Sequence, residues 1–286
     1  MKFICFLLAA LVLSTIYCEE HIGKGMYLQK NASYNQKKPK IAICSVIISG
    51  DKKIDYAKTV AFGTRSKEVY ARYHGYDFII AKSKITNCYG FEQTSDLHPA
   101  WTKVSLLAEL LDMGYDWIFY TDADSIITNF SIHIEDFIDD RYDIIGCSGR
   151  GYSWKTKTLP LPKVIEKNLG EINTGQLLIK NSATTKRIIK ESWEDHVNGY
   201  KVRIWEQGSM NKIFSKPEYC NSVLVHRPQS FNCVPGRFED GFFIVHMIFM
   251  HNKRLLGAFN HYEKMYSPMV DHYENLCKAR EINQKT

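Results

Sequence analysis

A short apolar run that ends in two aspartates constrains this chain more than any other stretch. The run covers residues 117–120, and Asp122 and Asp124 follow it closely. Aromatic and β-branched residues in so short a run favour a buried strand, which places both carboxylates where the chain leaves the core. Carboxylates held this close raise each other's pKa, and a divalent cation removes that repulsion. The stretch therefore predicts oxygen ligands for Mn²⁺ or Mg²⁺ at the end of a strand.

The Asp-x-Asp pattern alone also fits a plain structural interpretation. About one such match is expected by chance in a chain of this length. In that case Asp122 caps a turn and Asp124 is solvated. The rest of the sequence has to decide between a metal site and an ordinary turn.

The composition is that of a globular chain with a mild excess of positive charge. Its 286 residues are 45% apolar and 24% charged, which suits one large domain or two small ones. The net charge is +6, but the only dense basic cluster is Lys37, Lys38 and Lys40, just ahead of the first predicted strand. Such a cluster is typical of a solvated linker, so we expect no nucleic-acid partner. A mildly basic cleft suits a substrate that carries phosphate.

The first residues predict entry into the secretory pathway. An apolar run at 3–18 follows Lys2 and is too short for a comfortable membrane span, which favours a signal peptide over residues 1–18. A short uncleaved anchor is the alternative, and only that form would hold the chain at a membrane. Residues 19–39 show no hydrophobic period and are interpreted as a stem, with a glycosylation sequon at Asn31.

Six cysteines remain after the predicted signal segment, and an oxidising lumen permits disulfides among them. They are Cys44, Cys88, Cys147, Cys220, Cys233 and Cys277. Cys44 and Cys147 lie in apolar strand-like runs and fit buried thiols. No C-x-x-C pair occurs, which argues against a zinc ribbon or a thioredoxin-type site.

Strand-like and helix-like segments alternate through the first half of the chain. In order they are a strand at 41–48, a helix at 55–73, a strand at 76–81, a helix from Pro99 to Gly114, and the acidic strand. This order is typical of the nucleotide-binding half of an α/β fold.

The second half is less regular. It predicts strands at 142–147, 172–180, 222–225 and 242–247, and helices at 182–199 and from 205 onward. A long connection with Gly and Pro at 148–171 is interpreted as a functional loop.

Several short blocks occur in an order that points to one family. They are His-Gly-Tyr-Asp at 74–77, Trp-Thr-Lys at 101–103, the acidic stretch at 122–129, Asn-Thr-Gly at 173–175, Trp-Glu-Gln at 205–207, Pro-Gln-Ser-Phe-Asn at 228–232 and Ile-Val-His at 244–246. With these blocks the chain resembles the retaining glycosyltransferases of the fungal α-galactosyltransferase, fungal α-mannosyltransferase and plant xyloglucan α-xylosyltransferase family. The resemblance covers most of residues 41–261.

The resemblance implies an α/β protein with a GT-A fold. It implies a single Rossmann-like nucleotide-sugar-binding domain at 40–286, whose central mixed, mostly parallel sheet is flanked by helices. Residues 40–128 would bind the nucleotide and residues 129–286 the acceptor. The implied reaction transfers galactose, xylose or another hexose from a nucleotide-diphosphate sugar, with UDP favoured, to a glycan acceptor. It would retain the anomeric configuration and use Mn²⁺ or Mg²⁺, in the Golgi or ER lumen or after secretion.

The resemblance also implies three metal ligands. Asp124 is expected to bind the metal directly, and Asp122 directly or through water, with the ribose as a further partner. The late histidine, His246, completes the set. A lone histidine in an apolar strand is more often a core residue, and that alternative stays open.

Glu206 and Gln207 match the family's pair of an acidic residue and a glutamine. Retention of the anomeric configuration requires one of two routes. Either the acceptor attacks from the face from which the leaving group departs, or the sugar forms a covalent intermediate with a carboxylate. Glu206 would stabilise positive charge at the anomeric carbon or act as the nucleophile, and Gln207 would hydrogen-bond the transferred sugar. The alternative for Glu206 is a favourable charge in the first turn of a helix. Gln229 and Asn232 would order the acceptor side or only their own loop.

The residues expected to contact the nucleotide sugar are Ser45, Lys103, Asp122, Asn173 and Gly175. Lys103 would reach the diphosphate or simply face solvent, and Gly175 would let the backbone approach a ligand closely. After its late histidine the family usually carries Phe-x-Gly-Cys and a basic residue, which this chain lacks. His251 and Lys253 are therefore both candidates for the phosphate contact.

Two other functions compete with glycosyl transfer. An apolar strand that ends in Asp-x-Asp also suits a phosphohydrolase with an aspartate nucleophile, although such enzymes prefer Thr or Val where this chain has Ile126. The second alternative is a secreted sugar-binding protein on an inactive transferase scaffold. Phosphate release from a simple phosphomonoester would favour the first, and ligand binding without turnover would favour the second.

Overall fold

A six-stranded sheet forms the centre of the unit that comprises residues 39–286. The computed structural model describes residues 20–21, 27–28, 38–48, 55–92, 98–149, 171–197, 205–248, 250 and 252–283. Residues 1–38 form a separate unit, in which the antiparallel pair β1 (Glu20–His21) and β2 (Tyr27–Leu28) is described. The predicted signal segment, the sequon at Asn31 and most of the predicted functional loop lie outside the described residues.

The elements of the larger unit follow the alternation that the sequence predicts. The strands are β3 (Ile41–Val46), β4 (Asp77–Ala81), β5 (Asn87–Cys88), β6 (Phe91–Glu92), β7 (Trp117–Thr121), β8 (Ser125–Ile127), β9 (Ile144–Ser148), β10 (Ile172–Lys180), β11 (Val223–His226) and β12 (Ile244–His246). The helices are α1 (Tyr56–Thr59), α2 (Ala61–His74), α3 (Thr102–Asp112), α4 (Ala183–Val197), α5 (Trp205–Phe214), α6 (Pro228–Phe231) and α7 (Asn252–Asn283). Short 3₁₀ turns lie at Pro99–Trp101, Ile134–Phe137, Cys220–Ser222 and Pro235–Arg237.

The central sheet has the strand order β11-β9-β10-β7-β3-β4. β11 runs parallel to β9, and β7, β3 and β4 run parallel to one another. Only β10 is reversed, because it pairs antiparallel with both β9 and β7. The expectation of a mixed, mostly parallel sheet is confirmed.

Helices and loops cover both faces of this sheet, which explains why its strands are near-continuous apolar runs. On one face, strand residues such as Cys44 and Leu177 join a core cluster with Leu107 of α3 and Trp193 of α4. On the other face, Phe119 of β7 contacts aromatic rings from the chain segments that follow β11. The acidic turn after β7 therefore emerges from a fully packed centre.

Two elements near the site do not appear among the sequence predictions. β8 follows the acidic turn at once and pairs antiparallel with β12. The long helix α7 packs against α2, where Arg65 Nη2 lies 2.6 Å from Asp271 Oδ1 and 2.5 Å from Glu274 Oε2. Its buried residues recur at a helical period that the sequence does contain, namely Leu255, Phe259, Tyr262, Val270 and Cys277.

The described cysteines are all free thiols, and Cys44 and Cys147 are buried in β3 and β9 as expected. Among the described residues, no helix is both long and apolar enough to cross a membrane.

Candidate active site and metal centre

The turn that carries both aspartates joins β7 to β8 and is fixed by hydrogen bonds. The Asp122 N–H donates to Gly175 O in β10 at 2.7 Å, and the Asp122 carbonyl accepts from Ser125 Oγ at 2.7 Å. The carboxyl ends of the parallel strands β3 and β7 meet at this edge of the sheet, where ligands bind in open α/β folds. The predicted position of the acidic pair at the end of a strand is confirmed.

The pairing of β12 with β8 places His246 beside the aspartates. His246 lies opposite Ser125, and the Met247 N–H donates to Asp124 O at 2.9 Å. As a result, His246 Nε2 lies 3.1 Å from Asp124 Oδ1 and 3.6 Å from Asp122 Oδ2. One ligand atom from each of the three side chains lies within 4.8 Å of the other two. Two carboxylates and an imidazole form a donor set that fits Mn²⁺ or Mg²⁺.

Asn232 determines which ring nitrogen of His246 faces the aspartates. The Asn232 amide Nδ2 donates to Asn173 Oδ1 at 2.9 Å, so Asn232 Oδ1 turns to His246 and accepts from Nδ1–H at 2.8 Å. Nε2 is then the nitrogen directed at Asp124. Histidines that bind metals are commonly oriented by such a partner on the other nitrogen. Asn232 therefore orients His246, and Asn173 holds Asn232 in place, roles that their sequence positions did not reveal.

The charge of Asp124 is stabilised by its neighbours. Burial favours the neutral carboxylic acid, but His246 and Lys67 outweigh burial and hold the pKa of Asp124 below its ordinary value. Asp124 is therefore ionised at neutral pH and available to a cation.

Gly175 is required by the close approach of β10 to these side chains. A Cβ at this position would lie 2.2 Å from His246 Cε1, 2.6 Å from Asp122 Oδ2 and 2.9 Å from Asn173 Oδ1. Contacts this short do not occur in folded proteins, so a side chain here would displace the metal-site residues. This explains the predicted importance of the glycine through local packing, whether or not the nucleotide also contacts it.

We expect Gly175→Ala to abolish Mn²⁺-dependent nucleotide binding. Because His246 is buried and held by Asn232, the added methyl group would push Asp122 away, and overpacking of this kind typically costs about 1–3 kcal/mol of stability. Calorimetric titration of UDP with Mn²⁺ and thermal unfolding would measure both effects. Gly236→Ala is the matched control, since a Cβ there meets no atom within 4 Å. Wild-type UDP affinity in Gly175→Ala would contradict the packing described here.

Lys67 is a buried lysine that the sequence analysis did not single out. Its Nζ donates to Asp122 O at 2.7 Å and to Ala123 O at 3.3 Å, so α2 holds the acidic turn from behind. Burial lowers the pKa of Lys67 to about 7, against the opposing influence of Asp124 and Asp122. One sequence signal was present: Lys67 follows the buried Val60 by seven residues and precedes the buried Ala71 by four, which puts it on the core face of the helix.

Replacing Lys67 with methionine is expected to weaken Mn²⁺ binding by about 10- to 100-fold, as loss of a residue that orients metal ligands typically does. Methionine fills a similar volume but cannot donate to the two turn carbonyls. Titration with Mn²⁺, followed by electron paramagnetic resonance, reports the affinity, and thermal unfolding reports stability. Lys264→Met, at an exposed position on α7, is the control. Unchanged Mn²⁺ affinity with reduced stability would show that Lys67 is only a core residue.

Lys103 and Glu206 form a buried ion pair next to Asp122. Lys103 Nζ donates to Glu206 Oε1 at 2.6 Å and to Thr174 O at 3.0 Å, and it lies 3.5 Å from Asp122 Oδ1. The alternative in which Lys103 faces solvent is wrong, because its side chain is buried. The Lys103 ammonium is engaged by protein groups, so it connects the acidic turn to Glu206.

Burial acts in opposite directions on the two members of this pair. It raises the pKa of Glu206 above its ordinary value, although Lys103 works against the rise. For Lys103, burial is outweighed by Asp122 and Glu206, and the net pKa is raised. Lys103 is therefore protonated at neutral pH, and its charge is shared between two carboxyl groups.

Gln207 lies beside the same strand. Its Oε1 accepts from the Thr174 N–H at 3.1 Å, so the amide Nε2 is the remaining donor group of this side chain. Thr174 thus contacts Lys103 through its carbonyl and Gln207 through its N–H. Strand β10 and helix α5 position the predicted catalytic pair together.

Four other residues were predicted to contact the donor or to order the acceptor side. The buried Ser45 hydroxyl donates to Thr121 O at 2.5 Å and joins β3 to β7, and its contact with the nucleotide stays a prediction. Lys253 is exposed in the first turn of α7. His251 and the Gln229 side chain lie outside the described residues.

Comparison with known proteins identifies the family. Residues 37–218 match the profile of the galactosyl transferase GMA12/MNN10 family. The chain belongs to this family. The matched range includes Lys103, both aspartates and Glu206, and it ends ahead of His246. A curated relative, the probable alpha-1,6-mannosyltransferase MNN10 of Saccharomyces cerevisiae, is 23% identical over 186 residues, which cover 59% of this chain and 46% of the relative. The chain thus spans less than half the length of that relative.

Solved structures with the same fold are glycosyltransferases. One takes part in glycosylation of the major capsid of PBCV-1, with a TM-score of 0.59, 17% identity, and coverage of 78% of this chain and 100% of that chain. Another is GlyE of Streptococcus pneumoniae TIGR4 in its apo form, with a TM-score of 0.51, 14% identity, and coverage of 82% and 63%. The expected GT-A fold is confirmed.

Proposed function

We propose that this protein is a metal-dependent, retaining glycosyltransferase that moves a sugar from a UDP-sugar to a glycan acceptor in the secretory pathway. The observation that carries the proposal is the convergence of Asp122, Asp124 and His246 next to the Lys103–Glu206 pair. These groups meet at the carboxyl end of β7, where a nucleotide sugar binds in folds of this kind. This edge of the sheet would thus bind the cation and also place Glu206 near the anomeric carbon of the donor sugar.

Asp122, Asp124 and His246 would hold the divalent cation, and Asn232 keeps the His246 Nε2 directed at it. When bound, the cation supplies charge stabilisation for the nucleoside diphosphate leaving group. Lys67 holds the backbone of the acidic turn, so the spacing of the two carboxylates is set before any ligand arrives.

Glu206 would stabilise positive charge on the sugar as its bond to the diphosphate breaks. Its carboxylate is buried and bound to Lys103 at 2.6 Å, which lowers its availability for attack on carbon. We therefore favour a front-face reaction without a covalent enzyme intermediate. The acceptor oxygen forms the new bond to the anomeric carbon, the bond to the diphosphate oxygen breaks, and the acceptor proton passes to that oxygen.

Gln207 would bind the transferred sugar. With Oε1 engaged by the Thr174 N–H, the Nε2 group is the part of the side chain that a sugar hydroxyl would contact. Galactose, xylose and other hexoses are the donor sugars to test, and the name of the yeast relative adds mannose to them.

The secretory location rests on the apolar segment at 3–18. If that segment is cleaved, the enzyme works free in the lumen, and if it stays, it anchors the enzyme at the membrane.

A thermal-shift screen of UDP- and GDP-sugars with Mn²⁺ tests the proposal, because a ligand that binds the native state raises the unfolding temperature. We expect a UDP-sugar to stabilise the protein with Mn²⁺ and not with EDTA. The selected donor is then incubated with candidate glycosides, and NMR of the first product reports the anomer. An α donor should give an α product. Binding without any turnover would favour the inactive scaffold, and phosphate release from a phosphomonoester would favour the phosphohydrolase.

A further inference from the structure

An exposed tryptophan immediately precedes Glu206, the acidic member of the Lys103–Glu206 pair, in the chain. Trp205 is the first residue of α5 and is 51% exposed, although it immediately precedes the buried Glu206. Its φ of 37° lies in the left-handed region, which a bulky residue rarely adopts. Strained backbone conformations of this kind cluster at ligand-binding and active sites.

His98 holds the indole in one orientation. The two rings are parallel, with centroids 4.1 Å apart and planes at 6°. The His98 Nδ1 accepts from the Ala100 N–H at 3.3 Å, which ties the imidazole to the turn that leads into α3. Burial and Lys84 lower the pKa of His98, so the ring is neutral at pH 7. The His98 ring lies against one face of the indole, and Trp205 as a whole is still 51% exposed.

The His98–Trp205 stack and the Lys103–Glu206 ion pair both lie at the N-terminal ends of α3 and α5. Lys103 is the second residue of α3 and Glu206 the second residue of α5, and their charged groups meet at 2.6 Å. His98 precedes Lys103 by five residues and Trp205 precedes Glu206 by one, and these two rings form the stack. The indole is therefore fixed relative to the carboxylate that would act on the donor sugar.

We propose that Trp205, oriented by His98, is the platform on which a pyranose ring of the glycan acceptor stacks, an inference that rests on the proposed function. The C–H groups on one face of a sugar ring are weakly positive, and they pack on the electron-rich face of an aromatic ring. A platform one residue from Glu206 holds the acceptor hydroxyl near the anomeric carbon. Trp205 and His98 thus bind and position the acceptor and take no part in bond breaking.

The test uses the indole itself as the reporter. The full chain is labelled with ¹⁵N-tryptophan, which gives five indole signals, and Trp205→Phe identifies the signal of Trp205. With UDP and Mn²⁺ present, the probes are methyl α-D-mannopyranoside, methyl β-D-galactopyranoside and methyl β-D-glucopyranoside. We expect at least one glycoside to move the Trp205 signal saturably. Trp205→Gly, which suits the positive φ, should weaken that glycoside's binding roughly 2- to 10-fold, and His98→Ala should weaken it less.

Met113→Ala is the matched control, because Met113 is 58% exposed and lies at the opposite end of α3 from Lys103. Equal glycoside binding by Trp205→Gly and the wild type would overturn the inference, as would the lack of any shift of Trp205. Loss of UDP affinity in Trp205→Gly would also overturn it, since the residue would then belong to the donor side. In each of these cases the wild type still binds UDP with Mn²⁺ and the proposed function stands, whereas its failure to bind UDP would contradict both.

Discussion

Replacing Asp124 with alanine is expected to abolish sugar transfer and the Mn²⁺-dependent binding of UDP. Asp124 is ionised, its Oδ1 lies 3.1 Å from His246 Nε2, and its backbone carbonyl fixes the start of the segment after β12. Alanine keeps the backbone contact and removes only the carboxylate. A metal site that loses one of three protein ligands no longer stabilises the leaving group, so we expect a rate loss on the order of 10³ or more.

Asp124→Asn separates charge from shape, because the amide fills the same space without the negative charge. We expect it to lose activity nearly as completely as Asp124→Ala while unfolding at close to the wild-type temperature. Asp140→Asn removes an exposed carboxylate that pairs with Lys180 at 3.2 Å, and it should leave transfer unchanged. Full activity of either Asp124 variant with Mn²⁺ would rule out the metal assignment.

Glu206→Gln is expected to lower the transfer rate by roughly 10²–10³-fold, the usual effect of removing one group that stabilises charge in the transition state. The change also weakens the buried pair with Lys103, and removal of one partner from such a pair typically costs about 3–5 kcal/mol. Here Thr174 O and Asp122 still contact the Lys103 ammonium, so we expect the lower end of that range. Steady-state kinetics and chemical denaturation measure the two effects.

A double variant distinguishes a catalytic role of Glu206 from a structural one. Glu206→Gln combined with Lys103→Met removes both buried charges, so stability should recover while activity stays low. If activity recovered together with stability, Glu206 would serve only to balance Lys103. Intact-mass analysis after incubation with donor should show no sugar adduct on wild-type protein, since Glu206 is bound to Lys103. An adduct on Glu206 would establish the double-displacement route in place of the front-face route.

Local sequence patterns predicted the elements that carry the site. The apolar run before Asp122 indicated the buried strand β7, and the helix predicted to end at residue 73 ends at His74, followed by Gly75 in the left-handed conformation. Strand β10 has the predicted bounds. These predictions succeeded because a buried strand and a helix-ending glycine can each be recognised from a few consecutive residues.

The interactions that orient the site could not be predicted in this way, because their partners are far apart in the chain. His246 and Asp124 are in contact although they lie 122 residues apart in the sequence, and Lys103 and Glu206 are in contact although they lie 103 residues apart. The identity of a lysine does not reveal whether its side chain is buried, so the sequence left open that Lys103 faces solvent. The sequence also could not show that the Ser45 hydroxyl donates to Thr121 O, because a hydroxyl near a strand end suits a backbone carbonyl as readily as a ligand.

Asp122, Asp124 and His246 would together hold one divalent cation, which would neutralise charge on the diphosphate. This assignment is tested most directly by diffraction at the manganese absorption edge from crystals grown with Mn²⁺ and UDP. We predict one anomalous peak in contact with the Asp124 carboxylate and His246 Nε2 and with the diphosphate, and its disappearance in Asp124→Asn. UDP bound at the end of β7 with no manganese between it and these side chains would contradict the account.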